Sequence, residues 1–298
     1  MSNLYTYTTR QFSTPYLTVA EYKQAPTGMD YDNLVVASND PAVQDAELAN
    51  VIARASSWMD NYCYQILGAT VDTETQRARL NSDGTLAIHP RYFPIIAVLS
   101  LSYGSMPNDL VNYPDPSQGW IEEQQFILPY SSAQLTWSSQ GPLSFGMPAI
   151  PRQPVYVKYS YVNGFPTTLL ANQVSANASS IVVKNPTGII AGTQMTIYDG
   201  ENTENVTVGS SYTFGSTTVP LVTPTQFSHV ANTSISALPP AVKEAAILAT
   251  TAFLKIRGDS SMTMQVTNQV PPIRTDTQNM PDDFNVAKEL LRPYRRVR

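Results

Sequence analysis

Between residues 40 and 67 the apolar side chains Leu48, Ile52, Ala55, Met59, Tyr62 and Ile66 recur at steps of four and three. That spacing puts them on one face of an α-helix, and an apolar stripe of this length must be covered by something. Asp40 is placed as an N-cap, and Pro41 falls at the first helical position, where its missing N–H costs nothing. The pattern predicts a helix over 41–67. Upstream, Thr18 and Glu21 have capping-box spacing, and Leu17 can staple against Tyr22, so a short helix is expected over 18–26.

After Gly68 the period shortens to two. "TQRARL", "TLAIH", "AVLSLSYG", "EQQFIL", "AQLTW" and "VYVKYSYVNG" read as short strands between turn signals such as Asp83-Gly84. Frequent prolines cut this region into pieces, which favours a compact sheet with long loops. Residues 171–237 have few charges and many Thr, Ser, Val and Ile between glycines, the texture of a small all-β, barrel-like domain of about five strands. Helical spacing resumes with Pro240 in the first turn and a stripe of Val242, Ala245, Ala249, Ala252, Phe253 and Ile256, with Gly258 as the expected cap. Residues 259–284 show no periodicity and read as an extended arm, before a short helix that opens at Asp282 or Asp283 and stops before Pro293. The expected fold class is α+β. It comprises a core with a small antiparallel sheet over 1–170, an inserted barrel-like domain over 171–237, a core helix over 238–258, and an arm with a short C-terminal helix over 259–298.

The chemistry-bearing residues are sparse. There is no G-x-S-x-G elbow, no phosphate-binding loop, no H-E-x-x-H and no G-x-G-x-x-G after a strand. His89 and His229 are the only candidates for near-neutral bases, and both read as satisfied structural histidines. Glu122-Glu123 are neighbours on a strand and point to opposite faces, while Asp282-Asp283 read as helix caps. The single cysteine, Cys63, cannot form an internal disulfide and has no metal-ligand spacing around it. No enzyme activity, cofactor or metal is expected. The N-terminus carries no apolar signal segment, and no apolar run is long enough for a membrane span, so a protein made in the cytoplasm without membrane contact is expected.

Charged residues make up 14% of the chain, against roughly 25% in ordinary soluble domains, and the formal charge is −5. Such a neutral polar surface suits a protein that ends up against partners. The last eleven residues, "KELLRPYRRVR", run against the trend: they carry a net +4 and leave −9 on the remainder. Arg292, Arg295, Arg296 and Arg298 offer forked donors for carboxylates, and Tyr294 offers a stacking anchor, so these five are the candidate docking residues. A nucleic-acid interface would spread its positive charge through the fold instead.

The order of these elements, with "YLTVAEYKQAPTG", "DAELANVIARASSWMDNYC", "YVKYSYVNGFP", a Pro239-x-x-Val242-Lys243-x-Ala245 helix start and "LLRPYRRVR", resembles the head-tail connector (adaptor, or head-completion) proteins of tailed bacteriophages. The likeness spans a little over half the chain. Residues 167–237 depart from it and are similar to a small β-barrel module found within phage structural proteins. The resemblance implies a structural virion protein at the neck: a homo-oligomeric ring, typically of twelve copies, beneath the portal protein. Such a ring extends the channel through which DNA passes without sequence-specific binding, and it offers a platform to the tail or next neck protein. It also implies that the helix face of Leu48, Ile52, Ala55, Met59, Tyr62 and Ile66 belongs to the packed core of the ring, and that the 259–298 arm inserts between neighbouring copies or into the portal. An unstructured arm that orders only on docking would suit such a crowded ring. The alternatives are another neck, tail or baseplate component, or a carbohydrate-binding attachment protein using Tyr198, Tyr212 and Phe214 of the β region.

Overall fold

A computed structural model of the chain describes residues 15–296, apart from 30, 32–33, 36, 82–84, 114, 123, 130–153 and 263–281. The Asp83-Gly84 turn, the "AQLTW" segment, Glu123, Arg298 and most of the expected arm lie outside the described residues. The fold is α+β.

Helix α1 (Val19–Gln24) starts as its sequence requires. Thr18 Oγ1 accepts from the Glu21 N–H at 3.2 Å, and the Thr18 N–H donates to Glu21 Oε2 at 2.6 Å, closing the capping box. Helix α2 (Pro41–Cys63) has Asp40 as N-cap, accepting from the Ala42 N–H at 3.0 Å. It ends four residues earlier than the periodicity predicts, at Tyr64, whose φ of +57° is left-handed. The N–H groups of Tyr64 and Gln65 turn back to the carbonyls of Asn61 and Asp60, the pair of bonds that defines a Schellman ending. Residues 64–67 then run past the buried Tyr16, whose hydroxyl donates to Asp60 and accepts from the Leu67 N–H at 2.8 Å.

The described residues divide into two compact units, 69–164 and 15–68 with 165–296. The 167–236 strands therefore group with the helices, and the sheet that follows Gly68 stands as its own unit, a division different from a core running through residue 170.

That first unit is a seven-stranded antiparallel sheet, larger than the small sheet expected. In chain order its strands are β1 (Thr70–Leu80), β2 (Thr85–Ile88), β3 (Ile95–Met106), β4 (Asp109–Asn112), β5 (Trp120–Glu122), β6 (Gln125–Pro129) and β7 (Pro154–Asn163), and their spatial order is β4-β3-β7-β1-β2-β6-β5. Its core is built from alternating inward residues such as Leu101, Val157, Tyr159 and Tyr161. Glu74 accepts from the hydroxyls of Tyr159 and Tyr161 at 3.0 and 2.7 Å and from the Arg91 N–H, which anchors the 91–94 loop to the sheet.

In the second unit, β8 (Thr167–Leu169), β9 (Ser180–Val182), β10 (Gln194–Tyr198), β11 (Glu204–Thr207), β12 (Thr218–Pro220) and β13 (Ser234–Ser236) form a four-stranded sheet, β11-β10-β13-β8, and a β12-β9 pair around one shared core. Helix α3 (Pro240–Met262) continues through Gly258, the expected cap, because glycine lowers helix stability by only about 1 kcal/mol and does not by itself end a helix. Helix α4 (Asp282–Leu291) buries Phe284, Ala287 and Leu291.

One ion pair connects these elements. Glu21 caps α1 with one carboxylate oxygen and with the other takes the Lys243 ammonium of α3 at 2.6 Å, and that ammonium also lies 4.3 Å from the centroid of the Tyr198 ring on β10. Both partners are buried. Burial pushes the Lys243 ammonium below its ordinary value, against the opposing pull of Glu21.

Because removing one member of a buried pair strands the other charge, Glu21→Gln is expected to lower unfolding free energy by about 3–5 kcal/mol. The double variant Glu21→Gln/Lys243→Met recovers part of this loss in urea titrations. A larger loss in the double variant contradicts the assignment.

Candidate docking surface

Helix α4 stops before Pro293, and the chain continues through a 3-10 turn, Arg292–Tyr294, that returns to the end of α2. The carbonyls of the last helical turn have no intrahelical partner. One of them, on Cys63, accepts from the Arg296 N–H at 3.0 Å, and the Gln65 amide donates to the Tyr294 carbonyl at 2.9 Å. The Tyr294 ring meets Phe165 edge-on at 6.1 Å. The Arg295 guanidinium lies over two rings, 5.3 Å from the centroid of Tyr62 and 5.2 Å from that of Tyr64, and its Nη2 donates to the Tyr64 hydroxyl at 3.4 Å. Tyr62 stacks on Trp58 at 5.9 Å, Trp58 packs on Phe284 at 4.9 Å, and Phe284 meets Phe253 edge-on at 5.2 Å. An aromatic ladder thus runs from the core of three helices out to an exposed cation.

The candidate docking residues occupy different situations. Arg292 is exposed (76%) and stands 3.6 Å from the equally exposed Glu289, a surface pair worth little. Arg295 is exposed, Arg296 and Tyr294 are half-buried, and Arg298 lies outside the described residues. Tyr294 is spent on the chain's own core rather than projecting as an anchor. Residues 282–296 are also folded already, which differs from an arm that orders only on docking.

The helix face expected in the ring core is placed inside the chain. Leu48, Ile52, Ala55 and Met59 are buried, Leu48, Ile52 and Met59 against α1, α3 and α4 and Ala55 against α3 and α4. Tyr62 is half-buried, and Ile66 lies beyond the helix end. Most of the stripe is covered by neighbouring segments of the same chain. The outward side of α2 carries Val43, Ala46, Asn50, Ala53, Ser57 and Asn61.

Elsewhere, chemistry-bearing groups are tied into structure. His229 is buried, with Nδ1 3.0 Å from Asp199 and Nε2 2.7 Å from Glu204, an arrangement in which both ring nitrogens face carboxylates. Glu204 also accepts from the Gln226 and Phe227 N–H groups. Burial raises its carboxyl, but these hydrogen bonds together hold it below its ordinary value. The trio cross-links the loop before β13 to the β10–β11 connection. His89 is exposed. Of the three aromatic residues considered for sugar stacking, Tyr212 is buried in the strand core, Tyr198 lies beneath Lys243, and Phe214 remains exposed at 46%. Among the described residues no group of His, Cys, Asp or Glu is arranged to hold a metal ion, and no helix is long and apolar enough to cross a membrane.

Comparison with family models finds none that matches the chain, and none of the curated proteins matches it significantly.

Sequence reasoning missed Tyr62 and Tyr64 as partners of Arg295. The available signal was a helix end, "DNYCYQ", with no glycine at the position where one is usual.

Two outcomes are expected. Burial, reinforced by Asp60, pushes the Cys63 thiol up to about 12, so a disulfide reagent at mildly alkaline pH is expected to modify it only at the rate of unfolding; rapid stoichiometric labelling of the native protein contradicts its burial. Glu204, held low in the folded state, contributes stability that is complete above the unfolded carboxylate range, about 4.3, and is lost as pH falls through the folded value. The melting-temperature gap between the protein and Glu204→Gln is therefore expected to be widest near neutrality and to narrow in acid; a gap independent of pH contradicts this.

Proposed function

We propose that the protein is a structural component of a tailed-bacteriophage virion. In this reading it is a head-tail adaptor that forms a ring beneath the portal, extends the DNA channel and gives the tail or next neck protein its platform. The finer division of the fold follows: α1–α4 form the connector core, and residues 167–237 form an inserted barrel-like module. The chain is made in the host cytoplasm and ends in the neck of the particle.

The observation that carries this reading is the arginine-rich C-terminal segment, folded onto the end of α2 so that Arg292 and Arg295 are displayed on an otherwise acidic chain. Partner-facing cations on a rigid support suit assembly. A free-swinging tail would have to be ordered at a cost of about 0.5–1.5 kcal/mol for each immobilised side chain. The sparse charge points the same way. Twelve copies at −5 each would carry about −60, a field that repels DNA and favours sliding over binding.

Deleting residues 288–298 would also remove Leu291 from the core, so charge reversal is the cleaner test. Negative-stain images of the protein mixed with portal particles are expected to show a closed ring on the portal. Arg292→Glu/Arg295→Glu is expected to abolish that complex while leaving the melting temperature within a few degrees. The absence of any ring or portal complex removes the adaptor reading, and full binding by the charge-reversed protein removes the C-terminal segment from it.

A further inference from the structure

A helix that ends in the Schellman manner places a residue at positive φ, and glycine is the usual occupant because a side chain there is strained. In α2 that residue is Tyr64, at φ +57°. For a bulky side chain this is an outlier, and an observed outlier of this kind is grounds for seeking a function at the site. What the tyrosine supplies, and glycine would not, is a ring face beneath the Arg295 guanidinium and a hydroxyl that accepts from its Nη2. Tyr62 supplies a second face and is itself fixed by stacking on Trp58.

The guanidinium held in this way has capacity to spare. It carries five N–H donors, of which one is used on Tyr64; among the described residues no carboxylate pairs with it, although the chain holds 23 acidic side chains. The Arg295 side chain is exposed, so the donors not used on Tyr64 are accessible to a ligand. The planar donor fork of a guanidinium matches a carboxylate in two-point geometry. Arg292 lies on the same 3-10 turn, 3.6 Å from the solvent-exposed Glu289.

We infer that Arg295, laid on Tyr62 and Tyr64, is a preformed carboxylate receptor, and that with Arg292 it docks an acidic segment of a partner protein. A phosphate would satisfy the same fork, but a nucleic-acid interface needs cations spread along a backbone track. Here they are gathered at one helix end, and the rest of the chain bears a net negative charge that repels a polyanion of such length. A short acidic peptide segment, touching only the helix end, escapes most of that repulsion. Because the fork is already oriented, binding loses little side-chain freedom. The inference deepens the adaptor reading and rests on it only in taking the partner to be a protein.

The test uses the full chain and two fluorescent probes, a hexaglutamate peptide and a short DNA duplex, followed by anisotropy at low ionic strength. The peptide is expected to bind and to weaken as salt is added. Arg295→Ala and Arg295→Lys are each expected to weaken it by about ten-fold or more, because lysine keeps the charge but not the fork. Tyr64→Gly is expected to weaken it as well while leaving the melting temperature equal or higher, since glycine relieves the backbone; a purely structural tyrosine would lower stability instead. Peptide binding unchanged in Arg295→Lys, duplex binding as tight as peptide binding, or no peptide binding at low salt overturns the inference. A protein that binds the peptide but forms no portal complex keeps this inference and loses the adaptor reading. A protein that forms the complex and ignores the peptide does the reverse.

Discussion

A buried lysine is tolerable only with a partner, and Lys243 has three: the Glu21 carboxylate, the Ser234 hydroxyl at 3.5 Å and the face of Tyr198. Glu21 and Lys243 are 222 residues apart in sequence, so satisfying this one charge obliges the chain to come back to its first helix after everything between has been built. The requirement is strict because Glu21 already serves as the capping partner of Thr18. Disturbing the pair would therefore loosen the start of α1, the start of α3 and the β10 strand together. The neighbouring bond between the Tyr22 hydroxyl and Thr251, further along the two helices, reinforces the same return.

Local interactions were the legible part of the sequence. The capping box at Thr18, the N-cap at Asp40 and the stripe of α2 follow from spacings of three and four residues, and the structure contains all three. Helix ends were harder, because glycine is a permissive signal rather than an instruction. The chain ends α2 at Tyr64, four residues before Gly68, and carries α3 through Gly258. Sheet order and register were illegible, since pairing β7 with both β1 and β3 is a long-range choice that no short window encodes. The stripe itself hid an ambiguity: its apolar character shows that something covers it, not whether the cover is the same chain or a second copy. Lys243 was legible as part of a helix start but not as one half of a buried pair, because its carboxylate lies 222 residues away.

The arginines at the C-terminus acquire a more specific meaning than their charge alone gave them. Arg296 is tied through its N–H to the Cys63 carbonyl at the open end of α2, and Tyr294 through its carbonyl to the Gln65 amide just beyond it, so the segment lies where the partial negative charge of the helix terminus favours cations. What remains outward is a small cationic corner with a rigid aromatic footing. Its stiffness is inherited from the core, because the ladder from Phe253 through Phe284, Trp58 and Tyr62 leaves Arg295 no independent base.

The excursions of the chain also close on themselves. The strands between residues 69 and 164 leave and rejoin where the Phe165 N–H meets the Leu67 carbonyl at 2.8 Å, and those between 167 and 236 do so where the Ala237 N–H meets the Pro166 carbonyl at the same distance. Each insertion therefore has adjacent entry and exit points on a helical frame assembled from three separate stretches of sequence. Adjacent ends are the geometry that tolerates a change in the length of what lies between them, but the second stretch is bound into the frame as well, because its Tyr198 and Ser234 partner the buried Lys243.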